Sequence, residues 1–161
     1  MARGRVLALA AILLAAGYAW SQWGSEKAAV ERRLQAFASD VNAGTSDGRG
    51  LEARAELLGS FFTEDVVIDL GRGASEIRGR ATVMDMASRL QPRTSAFRLR
   101  LTDIGVTLAP GDQTATVVLT AEFLRRGGGD DSIDAREFSL DMIKDAGEWR
   151  ISRATAVDAF R

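Results

Sequence analysis

Two kinds of hydrophobic spacing divide this chain into a helical first half and a strand-rich second half. Apolar residues that recur every three or four positions predict helices over 25–43, about 51–62 and 80–90. In the first of these helices the repeating apolar positions are Val30, Leu34, Phe37 and Val41. Gln91 and Pro92 end the third helix, because the residue before a proline disfavours helical geometry.

In the second half, apolar residues alternate with polar ones, which is the period of a half-buried strand. A short strand is predicted over 66–70, and longer strands over 97–108, 114–124, 133–144 and 149–157. The apolar phase shifts after Leu101, which predicts a β-bulge near Thr102–Asp103. Helices followed by an antiparallel meander predict an α+β fold in which the helices cover one face of the sheet.

Residues 1–24 form a separate hydrophobic segment ahead of a single domain over 25–161. Arg3 and Arg5 precede an uncharged run over 6–23, close to the roughly 17–25 residues that cross a bilayer as a helix. We expect a single-pass anchor in a bacterial-type cytoplasmic membrane, with the domain on the outer side. A cleaved signal peptide is the alternative, because the small residues at 15–17 suit cleavage, and the domain would then be secreted.

Composition removes several kinds of chemistry from the domain. The chain has no histidine and no cysteine, and its single tyrosine, Tyr18, lies in the leader. The domain therefore has no imidazole for proton transfer, no thiolate nucleophile and no phenol donor. Its net charge of -1, with both signs interspersed, argues against nucleic-acid binding. We expect no cofactor and no metal.

Three segments carry a family resemblance: LGSFFTEDVVID over 58–69, IRGR over 77–80 and KDAGEWRI over 144–151. Together with the order of elements, they resemble the nuclear transport factor 2-like superfamily, in particular its SnoaL-like and ketosteroid-isomerase-like branches, over about 26–158. The resemblance implies a cone-shaped, curved sheet, antiparallel or mixed, wrapped around three helices and open at one end. Members of the superfamily include isomerases, cyclases, dehydratases and proteins without known catalysis, so the fold alone does not fix a function.

The resemblance also implies a pocket at the open end of the cone. Its expected apolar lining is Phe37, Phe62, Leu70, Met86, Phe97, Phe123, Phe138 and Met142. Isomerase-like members place a carboxylate base on the first strand and oppose it with oxyanion donors. In this chain the base position falls on Leu70, and the tyrosine position falls near Phe37.

These replacements favour a domain that binds a small apolar ligand, or a protein partner in the cell envelope, without catalysis. An enzyme with Asp69 as general base is the alternative. It requires a shift in the strand, because the alternation with Ile68 directs the Asp69 side chain away from the pocket.

Three charged groups and one surface complete the predictions. The arginines of 72–80 could hold an anion, and Asp130, Asp131 and Asp134 could attract calcium, but a charged, solvated loop is the favoured interpretation of each set. Cross-strand ion pairs on one sheet face are predicted among Arg98, Arg100, Glu122, Arg136 and Glu137. The open sheet face is a candidate surface for a homodimer.

Overall fold

The computed structural model describes residues 26–43, 51–71, 75–89, 97–125 and 132–157. It confirms an α+β fold with three helices and one curled, mixed sheet of six strands. The helices are α1 (26–43), α2 (Leu51–Gly59) and α3 (Arg80–Arg89). The strands are β1 (Phe62–Asp69), β2 (Ile77–Arg78), β3 (Phe97–Leu108), β4 (Thr114–Arg125), β5 (Ser132–Asp145) and β6 (Glu148–Val157).

The sheet order is β2-β1-β6-β5-β4-β3. The last four strands form an antiparallel meander, while β1 pairs in parallel with β6 at the end of the chain. This parallel pair joins the two halves of the sequence, because β1 precedes α3 and the meander whereas β6 is the last strand of the chain. Strand β3 is an edge of the sheet, and its outer backbone groups therefore need partners other than a neighbouring strand.

The turns and irregularities follow local chemistry. The predicted bulge in β3 is confirmed, since the register with β4 shifts between Thr102 and Gly105 and Asp103 adopts a left-handed φ of 52°. The β5–β6 hairpin turns through Ala146 and Gly147, both at positive φ, as a two-residue turn with the twist of the strands requires. A second irregularity, in the pairing of β5 with β6 at Asp141 and Met142, had no signal in the alternation.

We call the sheet face that packs against α1 the inner face, and the opposite side the outer face. From α1, Val30, Leu34 and Ala38 are buried against the sheet at exposures of 5% or less. The sheet contributes a continuous apolar wall to this core, of which the most deeply buried members are Val66, Val117, Leu119, Met142 and Trp149. The apolar stripe of α1 and the apolar face of the sheet thus pack together in one core, which stabilises the fold.

Two neighbouring predicted boundaries are wrong. The first strand was expected to begin at residue 66, but β1 begins at Phe62. The second helix was expected to continue to residue 62, but α2 ends at Gly59 and Phe62 begins β1. The amide of Ser60 bonds the Glu56 carbonyl at 3.0 Å, and the Phe61 carbonyl accepts the Ile151 amide at 2.8 Å. Pairing with β6 therefore takes over where the helix ends, and tertiary context overrides the apolar spacing.

The predicted leader lies outside the described residues. Among the helices that the structure describes, none combines the length and the apolar character that crossing a bilayer requires.

Candidate ligand-binding site

The regular pairing of β4 with β5 assigns side chains to the inner face. Paired residues on neighbouring strands project to the same side of a sheet. Val117 pairs with Leu140, and Leu140 pairs in turn with Ala154 of β6; all three are buried in the core. Residues two positions along each strand share this face, which places Phe123, Phe138 and Met142 on it as well.

Helix α1 crosses the inner face, and its first residue is held tightly at one end. Glu26 accepts a hydrogen bond from Lys144 Nζ at 2.8 Å and another from Trp149 Nε1 at 3.1 Å. The bond from Lys144 is the main reason that the pKa of Glu26 lies below its usual value of 4.5; burial opposes this effect, and the Trp149 bond adds to it. We call this the closed end of the inner face, because side chains fill it and satisfy one another.

Arg33 reinforces the closed end from the next turns of α1. Its Nε donates to the Trp149 carbonyl at 3.1 Å, and its Nη2 donates to the Ser60 carbonyl at 2.9 Å. The guanidinium also stacks over the Phe61 ring, with Cζ 4.2 Å from the ring centroid. Arg33 therefore ties α1 to both the α2–β1 connection and the last hairpin, and it is a structural residue rather than a ligand-binding one.

The other end of α1 lies against the edge strand. The Asn42 side chain donates from Nδ2 to the Leu99 carbonyl and accepts the Leu99 amide at Oδ1, each at 2.7 Å. The amide thus imitates a neighbouring strand and caps both backbone groups of one edge residue. Arg54 of α2 donates to the Val41 carbonyl at 3.1 Å, which offsets the negative end of the helix dipole there.

We call this second region the open end, because its aromatic side chains are only half-buried. Phe123 pairs with Leu99, the residue that Asn42 caps, and Phe138 lies on the next strand. From α1, Phe37 packs edge-on against Phe61 and Phe62, with ring centroids 5.4 and 5.7 Å apart. Partly exposed aromatic rings on an inner face are typical of a ligand-binding surface.

Two charged residues on the inner face of β5 were missed as part of this site. Asp134 pairs with Phe123 and Arg136 pairs with Ala121, so both share the face of Phe138. The predicted grouping of Arg136 with Arg98, Arg100, Glu122 and Glu137 on one face is therefore wrong for Arg136. The predicted pair of Arg100 with Glu122 is present at 3.4 Å. The unbroken alternation from Asp134 to Met142 was the signal that could have revealed the site.

The predicted pocket residues fall into three groups. Phe62 and Met142 are buried in the core, at 7% and 1% exposure. Phe37, Phe123 and Phe138 are half-buried and pack against it. Leu70, just after β1, and Met86, on α3, are 37% and 38% exposed. The side chain of Phe97 lies outside the described residues.

Asp69, the candidate base, lies on the outer face. It pairs with Thr155, which pairs with Ser139, while its neighbour Ile68 pairs with Ala154 of the core. The Asp69 Oδ1 accepts the Gly71 amide at 2.9 Å, a local turn bond that positions the carboxylate beside the chain reversal. A substrate on the inner face would therefore be separated from Asp69 by the sheet.

A depression of about 340 Å³ lies where β3 ends and β4 begins, beside β5. It is lined by Thr107, Leu108, Ala109, Thr114, Ala115, Thr116, Asp141, Met142 and Ile143, of which Leu108, Ala115 and Met142 belong to the buried core. Within the described ranges, no cluster of three or more acidic residues could hold a metal ion. The Asp130 and Asp131 of the suggested calcium site, and part of the 72–80 arginine segment, lie outside those ranges.

Comparison with known proteins places this geometry in a known fold. The sequence model of a family described as the SnoaL-like domain matches residues 47–155. No curated protein matches the chain. A nuclear transport factor 2-like protein with a cystatin-like fold, from Novosphingobium aromaticivorans, has a TM-score of 0.69 at 17% identity, over 88% of each chain.

Two further solved structures are similar in the same way. A protein from the same organism, provisionally named a scytalone dehydratase, has a TM-score of 0.67 at 16% identity, over 82% of this chain and 83% of that one. A protein from Catenulispora acidiphila, solved in complex with S-DNPA, has a TM-score of 0.63 at 14% identity, over 80% and 90%. At these identities the likeness shows the fold alone.

Proposed function

Because this chain belongs to the SnoaL-like family, we propose that its domain binds a small, largely apolar ligand at the open end of the inner face without transforming it. The observation that carries the proposal is that the rings of Phe123 and Phe138 on that face, and of Phe37 on α1, are half-buried against the core. Each ring leaves apolar surface that a ligand would remove from water, at about 25 cal/mol per Å². The site offers shape and apolar contact.

The charged groups at the open end do not form a set suited to proton abstraction. Along the described strands β4 and β5, Asp134 is the only inward-facing carboxylate, and it is paired with Arg136 at 3.5 Å. Enolate chemistry requires a base and separate oxyanion donors around one substrate atom. An enzyme that used Asp69 would need its substrate on the outer face, beside Gly71.

The proposal is tested with N-phenyl-1-naphthylamine, an uncharged probe that fluoresces in apolar surroundings. Ala156 pairs with Phe138 on the inner face, and its neighbour Thr155 faces outward. We expect purified full-length protein to bind the probe saturably and Ala156→Phe, which fills the open end, to abolish that binding. Thr155→Phe is the matched control and should bind normally. Equal binding by both variants would contradict an inner-face site. The fluorescence that remains with Ala156→Phe gives the background from partition of the probe into lipid.

We also propose that residues 6–23 tether the domain to the cytoplasmic membrane, on its outer side. The support is the uncharged apolar run behind Arg3 and Arg5. The test is the mass of the mature N-terminus together with extraction of membranes by alkaline carbonate. An intact leader in the membrane fraction agrees with an anchor, whereas a start near residue 18 with release into the soluble fraction contradicts it.

A second copy of the chain is the proposed partner for the outer face. Val118 is 42% exposed near the centre of this face, between Gly105 on β3 and Ser139 on β5. Small neighbours on both sides permit close approach of another sheet. We expect Val118→Arg to convert a dimer to a monomer by light scattering, while Met86→Arg, on α3 and 38% exposed, leaves the mass unchanged. A monomeric unmodified protein would contradict this assignment.

A further inference from the structure

We propose that Arg136 selects the ligand: an amphipathic acid whose apolar body lies on the open-end aromatic rings and whose anionic group pairs with the Arg136 guanidinium. This inference rests on the proposed ligand-binding function and adds the chemical class of the ligand to it.

The pairing of β4 with β5 brings the cation and the rings to the same face. Arg136 is two residues from Phe138 on β5, so both side chains project inward. Directly opposite Arg136 on β4 is Ala121, and Leu101 lies opposite Ala121 on β3. Ala121 is 4% exposed and Leu101 is 9% exposed, so the inner face beside Arg136 is built of apolar side chains.

The guanidinium retains unused donor capacity. Among the described residues, Arg136 forms an ion pair with Asp134, in which Nε lies 3.5 Å from Oδ2. Both terminal nitrogens can therefore donate to a ligand, in the forked geometry that suits carboxylate and phosphate oxygens. The Arg136 side chain is 48% exposed and Asp134 is 65% exposed, so an incoming anion can displace the carboxylate at little cost.

The charges around Arg136 also favour an anionic ligand. Alternation along the described strands β4 and β5 places the acidic residues Glu122, Glu137 and Asp141 on the outer face, and Asp134 alone among their carboxylates on the inner one. Arg54 offsets the carbonyl end of α1, which would otherwise oppose an anion at this end. A ligand anion therefore meets one counter-ion that it can replace.

The test uses two probes that differ in one group. N-phenyl-1-naphthylamine is uncharged, and 8-anilinonaphthalene-1-sulfonate has almost the same rings with a sulfonate added. We expect the full-length protein to bind the sulfonate roughly tenfold more tightly than the neutral probe, since hydrogen bonds to charged groups are the stronger ones. Arg136→Gln should remove that preference without weakening the neutral probe. Arg153→Gln, on the outer face opposite Asp141, is the matched control and should retain the preference.

The outcomes separate this inference from the proposed function. If the neutral probe does not bind the unmodified protein, the proposed function fails. If it binds and the sulfonate binds no more tightly, or if Arg153→Gln loses as much as Arg136→Gln, the selective role of Arg136 is overturned. Displacement of the sulfonate probe by decanoate or by decyl phosphate, each dependent on Arg136, supports the role and distinguishes a carboxylate ligand from a phosphate headgroup. Thermal unfolding of each variant checks that it is folded.

Discussion

Asn42 provides the sharpest test of how the open end is built. Its side chain makes two hydrogen bonds of 2.7 Å to the backbone of Leu99, on the exposed edge of the sheet. Replacing it with alanine removes both bonds and leaves the Leu99 amide and carbonyl without this partner. Because Leu99 pairs with Phe123, the change also loosens α1 beside the aromatic rings of the proposed site.

The size of the effect follows from opposing contributions. Each hydrogen bond contributes about 0.5–1.5 kcal/mol net of solvation, so two contribute about 1–3 kcal/mol. Alanine is the better helix former by up to about 0.7 kcal/mol, and water can reach the freed groups because Asn42 is exposed. We therefore expect Asn42→Ala to lower the free energy of unfolding by about 1–2 kcal/mol, which lowers the Tm of a domain of this size by roughly 3–8 °C.

The assay is thermal unfolding of the full-length protein followed by circular dichroism. Gln35→Ala is the matched control, because Gln35 is exposed on the same helix. That substitution should change the unfolding free energy by less than about 0.5 kcal/mol. Asn42→Asp should unfold at no higher a temperature than Asn42→Ala, because one carboxylate oxygen would face the Leu99 carbonyl and its charge would oppose the negative end of the α1 dipole. If Asn42→Ala and Gln35→Ala unfold at the same temperature, the capping argument is refuted.

Three further predictions concern the closed end and the core. The pKa of Glu26 is lowered in the folded protein, so its contribution to stability is present above pH 4.5 and is lost as the pH falls through the folded pKa. Glu26→Gln should therefore flatten the fall in Tm between about pH 5 and pH 3. An unchanged dependence of Tm on pH would show that Glu26 does not contribute to it. Arg33→Met should cost about 2–3 kcal/mol in urea unfolding, because the Ser60 and Trp149 carbonyls lose a charged donor; a cost near zero would mean that water replaces it fully. Met142→Ala should cost about 2–5 kcal/mol in the same assay, as Met142 is 1% exposed, and a smaller loss would mean that the core collapses around the cavity.

Most of the fold could be predicted because its signals are local. Alternation in the meander is long and regular, so the strands begin and end close to their predicted limits, and a change of phase marked the bulge at Asp103. Ala146 and Gly147 form the short turn that the sequence between β5 and β6 indicates. The boundary at Phe62 was missed because the parallel pairing of β1 with β6 joins residues that are distant in sequence.

The site was less predictable, because it depends on register. Alternation separates the two faces of a strand, but only pairing shows which residues of neighbouring strands meet. From the sequence alone, Arg136 groups with the other charged residues of the long strands. Its register with Ala121 instead places it on the inner face. Contacts of α1 with the sheet, such as that of Asn42 with Leu99, have no pattern in the sequence at all.

The central claim is that the inner face, and not the outer one, receives a ligand at its open end. Methyl-labelled NMR of the full-length protein, titrated with N-phenyl-1-naphthylamine, measures this directly. We expect the largest shifts at the inward methyl groups of Leu99, Leu119 and Ile68, with those of Val118 and Ile143 unchanged. Shifts centred on Val118 and Ile143 would place the ligand on the outer face and contradict the account.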